Sequence, residues 1–288
     1  MNASGGWPAP AKLNLFLRVT GRRADGYHEL QTAYQLLDLS DTLEFIATDD
    51  GIISRDSGAA TVAAEDDLAV RAAQALRAAA GSPALGVRIA VRKRIPIGGG
   101  LGGGSSDAAT TLVALDRLWR LNFGVERLAD LGLALGADVP LFVRGHSAWA
   151  TGIGEQLEPI KLPASWYAIV WPGVAVSTRE VFQAPELTRN SPVVKLSDFL
   201  GWQDSGQVPR NDLTAAVIAR YPAVRRALEW LSARGVARLT GSGACVFMAA
   251  ATQAVAQAAV SGLPGDWQGF VARGLDDSPL IARRAAEV

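Results

Sequence analysis

Apolar side chains recur at every second position over residues 11–19: Ala11, Leu13, Leu15, Leu17 and Val19 share one face, and Lys12, Asn14, Phe16 and Arg18 the other. That period predicts a strand and sets Lys12 and Asn14 side by side, about 6.6–6.8 Å apart. Pro8 and Pro10 fix the approach of the chain to it. A turn-rich segment follows, Gly21-Arg22-Arg23-Ala24-Asp25-Gly26-Tyr27-His28, and then two predicted strands over residues 33–39 and 42–46. Residues 49–61 are polar and read as a loop or an edge hairpin. The spacing turns helical over residues 65–80, with acids in the first turn and Gly81 just past the end. Val87, Ile89 and Val91 alternate with Arg88, Ala90 and Arg92 as a strand. Leu112, Leu115, Leu118 and Trp119 then mark a helix with Ser105 or Ser106 as its N-cap.

Further on, the pattern predicts a short helix over residues 128–135 and an apolar strand over 166–176. A helix capped by Ser177 or Thr178 comes next, and helices are also read over 213–233 and 254–260. A glycine-bearing turn at residues 238–247 leads into an apolar strand. Residues 183–211 are polar with scattered Pro and Gly, and are expected to be the least ordered part; the tail past Gly265 ends with basic Arg283 and Arg284.

At 288 residues the chain can bury a sizeable core and is expected to form two lobes. Lys plus Arg equals Asp plus Glu, 28 each, so no global field draws it to nucleic acid or an anionic membrane. Any anion site must therefore be local. The single cysteine, Cys245, excludes an internal disulfide and suits a reducing compartment. No signal peptide is visible, and the longest nearly uncharged stretch, residues 165–177, contains Pro172 and Gly173 and is too short to span a bilayer. A cytoplasmic protein is expected. No acidic cluster has the spacing of an all-protein metal site.

Candidate chemistry concentrates in Pro96-Ile97-Gly98-Gly99-Gly100-Leu101-Gly102-Gly103-Gly104-Ser105-Ser106-Asp107, where six of the seven residues 98–104 are glycine. Glycines let backbone N–H groups turn toward a ligand, and the helix start adds unpaired donors and a positive dipole end. The combination reads as a polyphosphate cradle. A flexible linker is disfavoured by the flanking strand and helix and by apolar Ile97 and Leu101. A Walker A loop fails because no Lys-Ser or Lys-Thr follows the glycines. A dinucleotide fingerprint matches Gly98, Gly100 and Gly103, yet lacks the acid about twenty residues on at the end of a second strand. Two further positions stand out. Lys12 is either a solvated strand residue or a placed cation, and Asp138, set among Ala137, Val139, Pro140, Leu141 and Phe142, is either a turn cap or a functional carboxylate. Asp25-Gly26 and His28 read equally as a plain hairpin tip and a surface histidine.

The segment from Pro96 onward resembles the phosphate loop of the GHMP kinase superfamily, which includes galactokinase, homoserine kinase and mevalonate kinase. Pro10-Ala11-Lys12-Leu13-Asn14-Leu15-Phe16-Leu17, the Gly21 to Leu30 segment, Gly136-Ala137-Asp138-Val139-Pro140 and Leu239-Thr240-Gly241-Ser242-Gly243-Ala244-Cys245-Val246 are similar to one branch of it, which acts on a cytidine diphosphate polyol. The resemblance implies an α+β, two-lobed fold. An N-terminal lobe like ribosomal protein S5 domain 2, residues 1–155, would hold nucleotide and the Lys/Asp pair; a ferredoxin-like lobe, residues 156–288, would face the substrate. It also implies transfer of phosphate from ATP to the 2-hydroxyl of a methylerythritol moiety, with Mg²⁺ arriving on the ATP.

By the same resemblance Asp138 would take the hydroxyl proton, Lys12 would orient it and bond the reacting oxygen, and Asn14 would contact the polyol. Tyr27, His28 and Phe182 would hold the cytosine, with Thr178 on the same wall; Pro96 to Ser106 would wrap the ATP phosphates and Gly241 to Gly243 would floor the cleft. A lysine about 4 Å from an aspartate contributes roughly 4 kcal/mol at an effective dielectric of 20. One departure is Asp67, where the family usually carries asparagine near the adenine. Two other functions stand against the kinase: a catalytically silent relative that binds nucleotide or sugar, and a dinucleotide-binding oxidoreductase. Neither a nucleic acid nor a membrane partner is expected, and oligomeric state is not legible.

Overall fold

The computed structural model describes residues 6–58, 61–205 and 209–286. Its spine is a long antiparallel pair, β1 (Trp7–Arg22) and β2 (His28–Thr48). β2 is one strand of 21 residues where the sequence predicts two. The expected break, at Ser40-Asp41, is absent because Asp41 is satisfied inside the sheet: its buried carboxylate accepts the backbone N–H groups of Arg94 and Ile95 and the Lys93 ammonium. A strand that long serves several partners. Residues 32–34 pair with β5 (Ala148–Thr151), Leu36 and Leu37 with β10 (Gln268–Leu275), and residues 42–48 with β4 (Gly86–Arg92). β5 continues as a hairpin into β6 (Gln156–Pro159). β3 (Ile53–Ser57) is a parallel edge strand on β4, within the stretch read as a loop or hairpin.

α1 (Leu68–Ala80), α2 (Gly103–Leu118), α3 (Val125–Leu133) and α4 (Val139–Arg144) cover this sheet and close a core around Trp7, Leu36, Phe45, Ile89, Leu115 and Phe142. A second layer is built on β7 (Trp166–Trp171), flanked by β10 and β9 (Val246–Ala250), with β8 (Ala237–Leu239) outermost. Pro172 and Gly173 end β7 five residues before the predicted end. α5 (Thr178–Gln183) starts on the Ser177 cap, as its sequence predicts. The segment expected to be least ordered holds α6 (Leu196–Ser205), anchored by Phe199, whose ring lies 5.0 Å from Phe16 and 5.7 Å from Trp149. Residues 206–208 of that segment lie outside the described residues. The long helix expected over 213–233 is two, α7 (Thr214–Arg220) and α8 (Pro222–Ser232), parted where Tyr221, before a proline, leaves the helical region (φ −119°, ψ 85°). α9 (Gln253–Ala259) and α10 (Pro279–Ala285) complete the chain.

β10 decides the architecture. Its first six residues pair with β7 and its last two with β2, so both layers belong to one ten-stranded sheet. The sequence hides this strand, because Gly269, Arg273 and Gly274 interrupt any period of two.

Candidate active site

Lys12 projects from β1, and its backbone N–H donates to the Leu101 carbonyl in the glycine turn at 3.0 Å. The strand is thereby tied to the turn at the residue whose side chain matters. Only 4% of the Lys12 side chain is exposed; its Nζ donates to Asn14 Oδ1 at 2.6 Å, lies 3.4 Å from Asp138 Oδ2 and sits 5.4 Å from the centre of the Tyr34 ring. Tyr34 donates its hydroxyl to the other oxygen, Asp138 Oδ1, at 3.0 Å. Burial, then the Asp138 charge, pushes the Tyr34 phenol well above its ordinary range, so it stays a donor. Asp138 stands at the N-cap position of α4 but makes no capping bond. Its carboxylate is turned instead toward Lys12 and Tyr34, which removes the turn-cap reading. Asn14 is held from behind: its Nδ2 donates to Thr32 Oγ1 at 2.9 Å, and its backbone N–H to Thr240 Oγ1 at 3.0 Å.

The glycine turn lies alongside. Gly100 has a φ of +75°, and a Cβ there would come within 2.5 Å of the Thr240 carbonyl oxygen. Gly102 has a φ of +76°, and a Cβ there would meet Phe142 at 2.7 Å and Lys12 Cε at 3.2 Å. Only glycine allows both the conformation and the approach. The backbone N–H groups of Ala244 and Cys245 donate to the carbonyls of Gly98 and Gly99, fastening the turn to the second layer. α2 starts at Gly103 with Gly102 at its N-cap and no side-chain cap, three or four residues earlier than expected. Its first N–H groups therefore lack a side-chain acceptor. Ser106 departs from the expectation that it would meet phosphate. Its side chain is fully buried, its N–H donates to the Gly102 carbonyl within the helix, and it does not line the cavity.

A neighbouring cluster escaped the sequence. Lys93 Nζ lies 2.5 Å from Asp41 Oδ2 and 2.6 Å from Asp107 Oδ2. Burial works against the Lys93 ammonium, but the charges of Asp107 and Asp41 outweigh it and raise its pKa. Burial pushes the Asp107 carboxyl up to about 7 against the pull of Lys93. Among the described residues no group of three or more His, Cys, Asp or Glu is placed to hold a metal ion. The Asp67 carboxylate caps α1 through the Ala69 N–H and pairs with Arg55 at 2.6 Å.

On the other wall the His28 and Phe182 rings stack at 5.0 Å with 30° between planes, and Thr178 Oγ1 lies 2.7 Å from Ser242 Oγ. Tyr27 is 60% exposed at the turn tip, where its N–H donates to Asp25 Oδ1. Arg189 Nε donates to His28 Nε2 at 3.2 Å. Burial, and then the charges of Arg189 and Arg22, lower the His28 pKa below its ordinary value. Lys12, Asn14, Tyr27, His28, Asp138, Thr178, Phe182 and all of the glycine turn from Pro96 to Ser105 line one cavity of about 1220 Å³. Single-ligand pockets run to about 1,000 Å³, so this one is larger than a single drug-sized ligand requires. The β1–β2 register sets Asn14 opposite Tyr34 and so held the clue to Tyr34; Arg189 carried no local signal.

Residues 67–146 match the GHMP kinases N terminal domain, and residues 198–268 match the GHMP kinases C terminal family. The 4-diphosphocytidyl-2-C-methyl-D-erythritol kinase of Halorhodospira halophila (strain DSM 244 / SL1) is 57% identical over 277 residues, which is 95% of this chain and 94% of that protein. The chain belongs to this kinase family. The kinase of the same name from Thiobacillus denitrificans (strain ATCC 25259 / T1) is 52% identical, over 96% of this chain and 98% of its own. A crystal structure of 4-(cytidine 5'-diphospho)-2C-methyl-D-erythritol kinase superposes with a TM-score of 0.81 at 34% identity, over 95% of this chain and 99% of that one. The 4-diphosphocytidyl-2-C-methyl-D-erythritol kinases are GHMP kinases, so the α+β GHMP fold and the phosphotransferase class expected from the motifs both hold, and the oxidoreductase reading falls.

Proposed function

We propose that the chain transfers the γ-phosphoryl group of ATP to the 2-hydroxyl of 4-diphosphocytidyl-2-C-methyl-D-erythritol, giving the 2-phosphate and ADP, in non-mevalonate isoprenoid precursor synthesis. The observation that carries this reading is the 3.4 Å Lys12–Asp138 pair, joined through the Lys12 N–H to the glycine turn at Leu101. The triphosphate lies against the backbone N–H groups of the turn and the start of α2, with Lys12 beside the transferring group. Mg²⁺ would arrive on the nucleotide rather than on a protein site and would supply charge neutralisation there. The donors lining the turn, backbone N–H groups and cations, suit phosphate better than a bare metal ion.

Asp138 accepts the hydroxyl proton as the oxygen attacks. Tyr34 and Lys12 each hold one carboxylate oxygen, so the group keeps a single orientation toward the cavity. A strong base is not needed, because the transition state is loose and rate comes mainly from positioning and charge stabilisation. Asn14 orients the polyol while its amide is fixed by Thr32. Tyr27, His28 and Phe182 hold the cytosine, with Thr178 beside them. Among the described residues no helix is long and apolar enough to cross a membrane. Cys245 is buried and its thiol is pushed up by desolvation, so it stays inert in the reducing cytoplasm where we place the enzyme.

The test is ATP turnover with the cytidine diphosphate polyol against mevalonate, homoserine and galactose. Turnover confined to the first supports the assignment. Binding without turnover would identify a silent relative.

A further inference from the structure

The Arg189 guanidinium is held on every side. Its Nη2 donates to the carbonyls of Phe182 at 3.1 Å and Ala184 at 2.7 Å, its Nη1 to the Leu187 carbonyl at 3.1 Å, and its Nε to His28 Nε2 at 3.2 Å. The strap that carries it is tied down as well. The Ser191 N–H donates to the Val19 carbonyl at 3.0 Å, and Gln31 exchanges two hydrogen bonds with the Val194 backbone. Swinging the guanidinium away would break several of these contacts at once. A guanidinium has five donors, no acceptor, and keeps its proton. The histidine nitrogen facing it can only accept. The proton of the neutral ring then resides on Nδ1, for which no protein partner is found among the described residues.

We propose that Arg189 is a positioning residue that locks His28 in its neutral, Nδ1-protonated tautomer, so that this wall of the cavity presents a donor to the pyrimidine edge. The proposal rests on the cytidine reading above and adds a source of selectivity to it. Cytosine offers two acceptors, N3 and O2, whereas uracil carries a hydrogen on N3. A histidine free to exchange tautomers could serve either base, but one pinned as a donor serves cytosine and meets uracil N3–H donor to donor. The discrimination originates in Arg189, which need not touch the base. Burial of the ring beside Arg189 and Arg22 acts in the same direction, opposing a second proton.

Long-range ¹H–¹⁵N spectra of the full-length protein test this directly, because His28 shares the spectrum only with His146. Between about pH 7 and 8 the Nε2 of His28 should resonate as an unprotonated nitrogen and Nδ1 as a protonated one. A protonated or averaged Nε2 signal overturns the lock. In Arg189→Met the two tautomers should mix and competitive inhibition by cytidine diphosphate should weaken roughly tenfold. Inhibition by uridine diphosphate should strengthen, because the freed ring can accept from uracil N3–H, and KM for ATP should stay put, while Arg189→Lys, which keeps a donor, should restore most of the preference. An unchanged cytidine-to-uridine ratio, or an equal loss for both diphosphates and ATP, overturns the proposal. Should Arg189→Met fail to fold, the wild-type spectrum decides alone. An Nδ1-protonated His28 in a protein that binds neither diphosphate would support the lock and overturn the cytidine reading, so the two failures are distinguishable.

Discussion

Replacing Lys12 by methionine removes a charge while nearly preserving length and shape. The ammonium it deletes lies 3.4 Å from Asp138 Oδ2 and 2.6 Å from Asn14 Oδ1, in a side chain 4% exposed. At that separation Coulomb's law with an effective dielectric of 20 gives about 5 kcal/mol between the two charges, an upper bound because Asp138 is 29% exposed and water can replace part of it. The share felt by the reaction is smaller. Removing one preorganised donor from a developing oxyanion raises the barrier by about 3–4 kcal/mol, which lowers kcat about 10²–10³-fold. ATP affinity should change less than about threefold if, as proposed, the nucleotide rests on the glycine turn. Arginine should not rescue activity, because a planar guanidinium cannot reproduce the compact ammonium that bonds Asn14 Oδ1 at 2.6 Å while facing Asp138. Coupled ADP-release kinetics, nucleotide titration calorimetry and a thermal melt give the three readings. A folded Lys12→Met enzyme within tenfold of wild-type kcat, or one whose loss lies wholly in ATP binding, would refute this account of the lysine.

Asp138→Asn should lower kcat by about 10²–10⁴-fold in the same assay with ATP affinity nearly constant, and turnover close to wild type would take Asp138 out of proton transfer. Phe182→Ala should raise KM for the cytidine substrate roughly tenfold by removing a stacking face, leaving KM for ATP in place; equal rises in both would put Phe182 outside the pyrimidine pocket. Asp107 predicts a pH effect. Its ordinary value is 3.8 and in the folded chain it lies at about 7, so between those values the folded state binds more protons than the unfolded one. Its contribution is fully present below about pH 3.8 and is lost as pH rises through 7. Asp107→Asn should therefore melt higher relative to wild type at pH 8 than at pH 5, and a constant gap between the two melting curves would contradict the buried-acid account.

The residues that line the cleft were legible where they carry rare local composition. Six glycines between a strand and a helix, a lysine on an alternating strand and an acid ahead of Pro140 all announce themselves within a dozen residues. What stayed hidden depends on contacts distant in sequence. Tyr34 reads as an ordinary strand aromatic until the β1–β2 register and α4 bring its hydroxyl to Asp138, 104 positions away. Asp41 looks like a strand breaker, and only the backbone of Arg94 and Ile95 turns it into a satisfied interior group. The polar run after α5 resembles a loose connector because its order comes from outside it, through Val19, Gln31 and the aromatic group around Phe199. Ser106 shows the converse error: a plausible phosphate ligand by composition that helix phase rotates into the interior.

β10 leaves the ribosome after every other strand, yet its place is between β2 and β7 in the middle of the sheet. Each half gathers an apolar nucleus of its own, and the strand that completes the sheet between them, residues 268–275, is the last of the described strands to be synthesised. The groove shared by both halves is thus among the last features to be completed, and a nascent chain stalled short of that strand has a glycine turn whose sheet is still unfinished.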